Sequence, residues 1–167
     1  MLRPHVADRW RLSQLTVNYR TPAEIMVVAA DLLAEHHPGL RPPTSVRSAG
    51  ETPWRTHAPV TAVARLPRTR GKLAVITPPA HLDALAAALS LAAPADLTGD
   101  VVLLTPAQAK GLEFDVVVVA DPAAILAANP LGHNDLYVAM TRATRSLGVV
   151  HPGPPLAVLS ALREVTM

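Results

Sequence analysis

The stretch VVLLTPAQAKGLEFDVVVVADP, residues 101–122, sets Lys110, Gly111, Glu113 and Asp115 in a polar turn between two apolar runs. Four valines closing on an aspartate, Val116–Val119 and Asp121, resemble the strand with which a nucleotide-hydrolysing enzyme holds magnesium. Such an enzyme also needs G-x-x-x-x-G-K-[ST], because successive backbone N–H groups must wrap the phosphates while the lysine reaches them. The Gly-Lys pair of this chain is Gly71-Lys72, with Leu66 where the first glycine belongs and Leu73 where Ser or Thr belongs. No G-x-G-x-x-G occurs either. VVVVAD therefore reads as a buried strand leaving a sheet at Asp121 rather than as a magnesium site. The chain lacks its own phosphate loop and is expected not to hydrolyse ATP alone.

Two arginines stand where phosphate chemistry could use them. Arg20 follows a strand-like segment and immediately precedes a helix start, and Arg142 lies two helical turns beyond Asp135 in DLYVAMTRATR. A guanidinium is permanently charged and binds phosphate oxygens in bidentate fashion. One delivered from a neighbouring domain stabilises charge in phosphoryl transfer. An isolated arginine is more often an exposed salt-bridge partner, so neither carries the reading by itself. The histidines include the pair His36-His37, but no carboxylate or further histidine sits at metal-ligand spacing. Partly exposed surface histidines and no metal site are expected.

The elements that must position these residues follow from hydrophobic period. Leu12–Tyr19 alternates apolar and polar residues, as a strand does. Thr21, Pro22 and Glu24 read as N-cap, first helical residue and capping box of a helix running to about Glu35. From His36 to Arg70 six prolines break the period, leaving short strand candidates at Thr44–Ser48 and Val60–Arg65 inside an irregular Pro/Arg-rich excursion, about 36–71. Strands are expected at Lys72–Thr77, Val101–Leu104, Val116–Ala120 and Leu147–His151. Helices are expected at Pro79–Ala92, Asn134–Thr144 and Pro155–Val165. Strands apolar throughout and separated by helices indicate an α/β fold, a mostly parallel sheet with helices on both faces. Ligands of such sheets lie at the carboxyl ends of strands, where the turns Asn18–Thr21 and Thr105–Asp115 are expected.

Composition narrows the class. Half of the 167 residues are apolar but only 3% are aromatic, so Ala, Val and Leu must fill the core of one globular domain, 1–167. The absence of cysteine excludes disulfides and thiolate metal sites. With no long apolar run and no signal-like N-terminus, a cytoplasmic protein with no membrane association is expected. Residues 36–72 hold seven basic residues against Glu51, whereas 73–167 hold four basic and eight acidic. That asymmetry could meet a polyanion, or be a solvated surface, because the arginines form no stripe and have no interleaved aromatics.

Three segments in order, LTVNYRTPAEI, LLTPAQAKGLEFDVVVVADP and DLYVAMTRATRSLGVVH, resemble motifs IV, V and VI of superfamily 1 helicases of the UvrD/Rep type. The wording AKGLEFDVVVVADP and the ending LGVVHPG are most similar to the helicase IV/HelD branch, whose actinobacterial HelD members are ATPases associated with RNA polymerase. The resemblance implies a second, C-terminal RecA-like domain that completes an ATP site. The phosphate loop and the magnesium would belong to an N-terminal RecA-like domain of the same parent. It also implies that Arg20 contacts the γ-phosphate, that Arg142 is the arginine finger, that Tyr19 packs on adenine, and that Glu113 accepts from the ribose hydroxyl beside a tight turn at Gly111. Hydrolysis would then be coupled to domain motion on DNA or on RNA polymerase. One departure stands out. The helicases carry a histidine two residues after the motif V threonine, whereas Thr105 is followed by Pro106 and Ala107, so that strand contact is absent. A rival expectation is a stand-alone, non-catalytic binding module that uses the basic segment Arg41–Lys72 to hold a protein or nucleic acid.

Overall fold

The computed structural model describes residues 16–66, 71–92 and 95–167, and in these the apolar runs form a parallel sheet covered on both faces. In chain order the elements are β1 (Val17–Asn18), α1 (Ala23–His36), β2 (Thr44–Ser45), β3 (Trp54–Thr56), α2 (Val60–Ala64), β4 (Leu73–Ile76), α3 (Leu82–Leu89), β5 (Val101–Leu104), β6 (Phe114–Ala120), α4 (Pro122–Ala127), α5 (Gly132–Met140), β7 (Ala143–Val150) and β8 (Arg163–Glu164). The main sheet has the order β5-β4-β6-β7-β3-β8 with every pair parallel, and β1 and β2 form a separate parallel pair.

Successive strand residues point to opposite faces, and the core divides accordingly. Ala74, Ile76, Val117, Val119, Leu147 and Val149 pack under α1, α4 and α5 through Ile25, Leu32, Ile125, Leu136 and Met140. Leu73, Val75, Val118, Ala120 and Val150 pack on the other side under α2 and α3 through Val63 and Ala86. The expected α/β class is therefore the observed one, and the unbroken valine run of β6 is explained by burial on both sides.

Several local expectations are overturned. The capping box does not form: the helix begins at Ala23, and Pro22 precedes it with an extended ψ of 151° and no side-chain cap. Glu24 instead accepts from Ser48 Oγ, from Ala49 N at 3.3 Å and from Gly50 N at 3.0 Å, tying the loop after β2 to α1. The excursion yields an internal strand, since β3 lies between β7 and β8. Three residues between Pro53 and Pro59 are too few to show a period of two. The arginine in their middle is paired there, Arg55 Nη2 to Glu164 Oε2 at 2.9 Å. Val60–Arg65, read as a strand, is helix α2. The closing helix is replaced by a 3-10 turn at Ala157–Leu159 and by β8, whose Arg163 and Glu164 pair with Trp54 and Arg55. Helix α4 is additional to the expected elements, and its signal is local: Asp121 caps it, Oδ1 accepting from Ala124 N at 3.1 Å, and Pro122 opens it. Most of the strand expected at Leu12–Tyr19 lies outside the described residues.

Helix α5 carries Arg142 just beyond its end and docks on α4 at its first residue. A Cβ on Gly132 would overlap the backbone carbonyl of Leu126, which cannot swing aside as a side chain could. Gly132→Ala, ordinarily stabilising in a helix, should here cost about 1–3 kcal/mol by overpacking. Urea unfolding would read this as a lower midpoint at unchanged slope.

Candidate functional site

Three turns meet at one edge of the sheet. The first is the β1–α1 turn, where Asn18 Oδ1 accepts from Arg20 N at 2.8 Å and from Thr21 N at 3.2 Å. Asparagine holds such turns through its own side chain. Ser45 Oγ donates to Thr21 O at 2.6 Å, and Arg47 Nη1 donates to Arg20 O at 3.4 Å. The backbone of Arg20 is thus fixed while its guanidinium stays out in solvent, with the side chain 77% exposed. Tyr19 beside it is 72% exposed.

The second turn is residues 105–113. Thr105 opens it, its N and Oγ1 both meeting Gln108 Oε1, at 2.9 and 3.1 Å. Gly111 closes it with a φ of +82°, left-handed backbone that a glycine adopts without strain and with open space where a Cβ would stand. Lys110 Nζ lies 3.9 Å from Asp135 Oδ1 on α5. The third turn joins α5 to β7 at Thr141 and Arg142.

Each arginine reaches the second turn at a consecutive residue. Arg20 Nη1 lies 2.6 Å from Glu113 Oε1, and Arg142 Nη1 donates to Leu112 O at 3.3 Å. Arg142 Nε also donates to Val138 O at 3.2 Å, and its own carbonyl accepts from Phe114 N at 3.0 Å. Adjacent to this, Thr21 Oγ1 donates to Thr141 O at 3.3 Å in a buried contact between residues 120 apart. The residues following Arg20 and preceding Arg142 are therefore in direct contact, which ties the first and third turns together. An irregularity in the β6–β7 pairing falls between Phe114 and Val116, next to the site. Such bulges re-aim neighbouring side chains.

The two cations differ in character. The Arg20–Glu113 pair is exposed on both sides, so it adds little stability and can be exchanged for another anion at small cost. Arg142 is half-buried and held by carbonyls, hence fixed in direction. Tyr137, a residue of the quoted third segment that the sequence reading left without a role, stands by it. Burial pushes its phenol up, against the opposing pull of the Arg142 guanidinium.

The sequence-expected residues Arg20, Gly111, Glu113 and Arg142 are thus brought together, with Tyr19 flanking them. Their location differs from expectation. Glu113 immediately precedes β6 and Arg142 immediately precedes β7, so the cluster lies at the amino-terminal ends of these strands rather than at the carboxyl ends. The reason is that 105–113 leaves β5 at its carboxyl end but must return across the sheet before parallel β6 begins.

The described histidines are exposed or half-buried as expected, except His151. His151 is buried, only 2% exposed, and His133 joins His36 and His37 on one surface patch, with 2.8 Å between the Nε2 atoms of His37 and His133. The His133 imidazole is held below its ordinary value by desolvation and then by its two neighbours. No group of three or more potential metal ligands is found among the described residues, nor is any helix among them long and apolar enough to cross a membrane.

The Glu24 contacts that brace the first turn make a pH prediction. The hydrogen bond from Ser48 and those of the nearby backbone N–H groups lower its carboxyl from 4.5 to about 2, against desolvation. A depressed carboxyl contributes stability that is complete above its unfolded value and is lost as pH falls through the folded one. The Ala49 and Gly50 amide resonances should therefore titrate together with a midpoint near 2. Glu24→Gln should abolish that step.

Residues 100–150, which span β5 to β7 and include Glu113 and Arg142, match the family described as UvrD-like helicase C-terminal domain. The C-terminal domain of a possible DNA helicase from Lactobacillus plantarum WCFS1 is similar in structure, with a TM-score of 0.61 and 21% identity over 87% of this chain and 94% of that chain. This likeness shows a shared fold. The helicase nonstructural protein 10 of an arterivirus matches more loosely, with a TM-score of 0.46 and 18% identity over 90% of this chain and 28% of that one. No curated protein matches the chain.

Proposed function

We propose that this chain is the second RecA-like domain of a superfamily 1 helicase-type ATPase and forms one wall of an ATP site shared with an N-terminal RecA-like domain. The observation that carries this reading is the convergence of Arg20 and Arg142 on residues 112 and 113, at an open edge where no phosphate loop is present. The match of residues 100–150 to the UvrD-like helicase C-terminal domain supports it.

The residues present suit half of such a site. Arg20, exchangeable and exposed, would leave Glu113 for the γ-phosphate. Arg142, fixed in direction by Val138 and Leu112, would hold charge on the transferring group. Glu113, once released, would accept from the ribose hydroxyl, and the exposed Tyr19 ring would lie on adenine. ATP, with magnesium held by the partner domain, supplies the phosphoanhydride whose cleavage drives domain motion. This chain supplies permanent positive charge. Because Thr21 and Thr141 join the two arginine-bearing turns, a pull on either is shared by both, a rigid coupling suited to moving a domain. The finer assignment to the helicase IV/HelD branch, acting on DNA or RNA polymerase in the cytoplasm, rests on the wording of residues 109–122 and 147–153.

Against the rival, a stand-alone binding module displaying a basic segment, three of the segment's described cations are engaged within the chain. Arg55 is paired with Glu164 and only 14% exposed, Arg47 bonds Arg20 O, and Lys72 Nζ donates to Leu97 O at 2.6 Å.

The isolated chain should show no ATP turnover above background, and robust turnover would overturn the shared-site reading. In a polypeptide joining this chain to its phosphate-loop domain, Arg142→Ala should lower kcat by roughly 10³-fold. Arg142→Lys should not restore it, because an ammonium cannot reproduce the fork. An unchanged rate removes Arg142 from the site.

A further inference from the structure

The opposite edge of the sheet, where β3, β4, β6 and β7 end, holds a separate crevice of about 340 Å³. In parallel α/β sheets ligands lodge outside the carboxyl ends of strands, at the point where strand order reverses. Here β4 connects outward to β5 while β6 connects the other way to β7, so the reversal falls between the neighbours β4 and β6. The crevice opens there, against Thr77 after β4 and Asp121 after β6. None of the arginine cluster takes part in it.

Its surface is mostly hydrocarbon. Ala120 and Val150 at the strand ends line it together with Leu85 of α3 and Val60 of α2. His57 also lines it, its ring set edge-on to that of buried His151 with 3.9 Å between the ring centroids. The position of a strand–loop–helix phosphate site is occupied by His57-Ala58-Pro59, which has neither glycine nor lysine. Phosphate is therefore not what it is built to hold.

The rim instead presents a carboxylate. Asp121 is held at a φ of +55°, its Oδ1 accepts from Ala124 N, and its side chain is 19% exposed. Oδ2 faces His81 Nδ1 at 3.7 Å, too long for a hydrogen bond. Among the described residues no lysine or arginine lines the crevice. Asp121 is the one carboxylate among the residues that line the crevice, beside His81, and backbone geometry fixes it against a hydrocarbon surface. Non-glycine residues held in left-handed backbone cluster at ligand sites.

From this charge and shape we infer that the crevice binds a small organic cation: an amine or amidine on an aromatic or branched apolar frame. The frame covers Leu85, Val60 and the strand ends. The N–H donors meet Asp121 Oδ2 in a charge-assisted hydrogen bond, stronger than a neutral one.

Benzamidine titrated into the isotope-labelled chain and followed by amide resonances tests this, with benzyl alcohol, benzoate and methylammonium as comparators. Saturable shifts at Ala84, Asp121 and Val150 are expected with benzamidine, at an affinity at least about tenfold above that of benzyl alcohol. Benzoate and methylammonium should give none. Asp121→Asn keeps a capping oxygen and tolerates the left-handed conformation. It should weaken benzamidine about tenfold or more and leave benzyl alcohol unchanged. Ala84→Trp, at an exposed wall position, should remove both. Benzamidine binding weaker than about 10 mM, equal affinity for benzoate or benzyl alcohol, or indifference to Asp121→Asn would each overturn the inference.

Discussion

Every strand of the main sheet runs in the same direction, so every connection must carry the chain back across the sheet before the next strand can begin. Strand starts consequently gather at one edge and strand ends at the other. Residues that immediately precede strands become neighbours however far apart they lie in sequence. Glu113 before β6 and Arg142 before β7 are such a pair, since β6 and β7 are adjacent. Arg20 does not belong to the main sheet. It is brought to the same edge because α1 packs over α5 on the buried face shared by Ile25, Leu32 and Leu136, and because Thr21 bonds to Thr141.

The edge that results is asymmetric in mobility. Carbonyls of Val138 and Leu112 hold Arg142, whereas Arg20 rests on an exposed carboxylate that competing anions could replace. The proposed shared ATP site would use both behaviours. The first is bought with burial, and the second depends on solvent screening of the resting pair.

At the far edge the same constraint produces different chemistry. The ends of β4 and β6 diverge to opposite sides, and what fills the gap depends on loop sequence alone. Prolines and histidines stand there with one strained aspartate, and the crevice is apolar with a negative rim. One sheet thus carries an arginine-bearing edge where strands begin and an apolar crevice with one carboxylate where four of them end.

Much of this was legible along the chain. The runs at 73–76, 101–104 and 114–120 are apolar enough to require burial on both faces, which dictates strands in a covered parallel sheet. Arg20, Gly111, Glu113 and Arg142 were singled out by motif, and they do converge. Less was legible where few residues carry the signal. Trp54–Thr56 is too short to show a period, and its arginine belongs in a sheet only because Glu164 arrives beside it. The apparent capping box at Thr21 and Glu24 failed because both side chains had stronger tertiary partners, Thr141 on one side and the 48–50 loop on the other. Local sequence determined which segments are strands and which residue types could meet an anion, since both depend on side chains a few positions apart. Only the tertiary structure decided the edge at which they meet, the partners they hold at rest and the crevice opposite. Those depend on strand order, which no short stretch of sequence encodes.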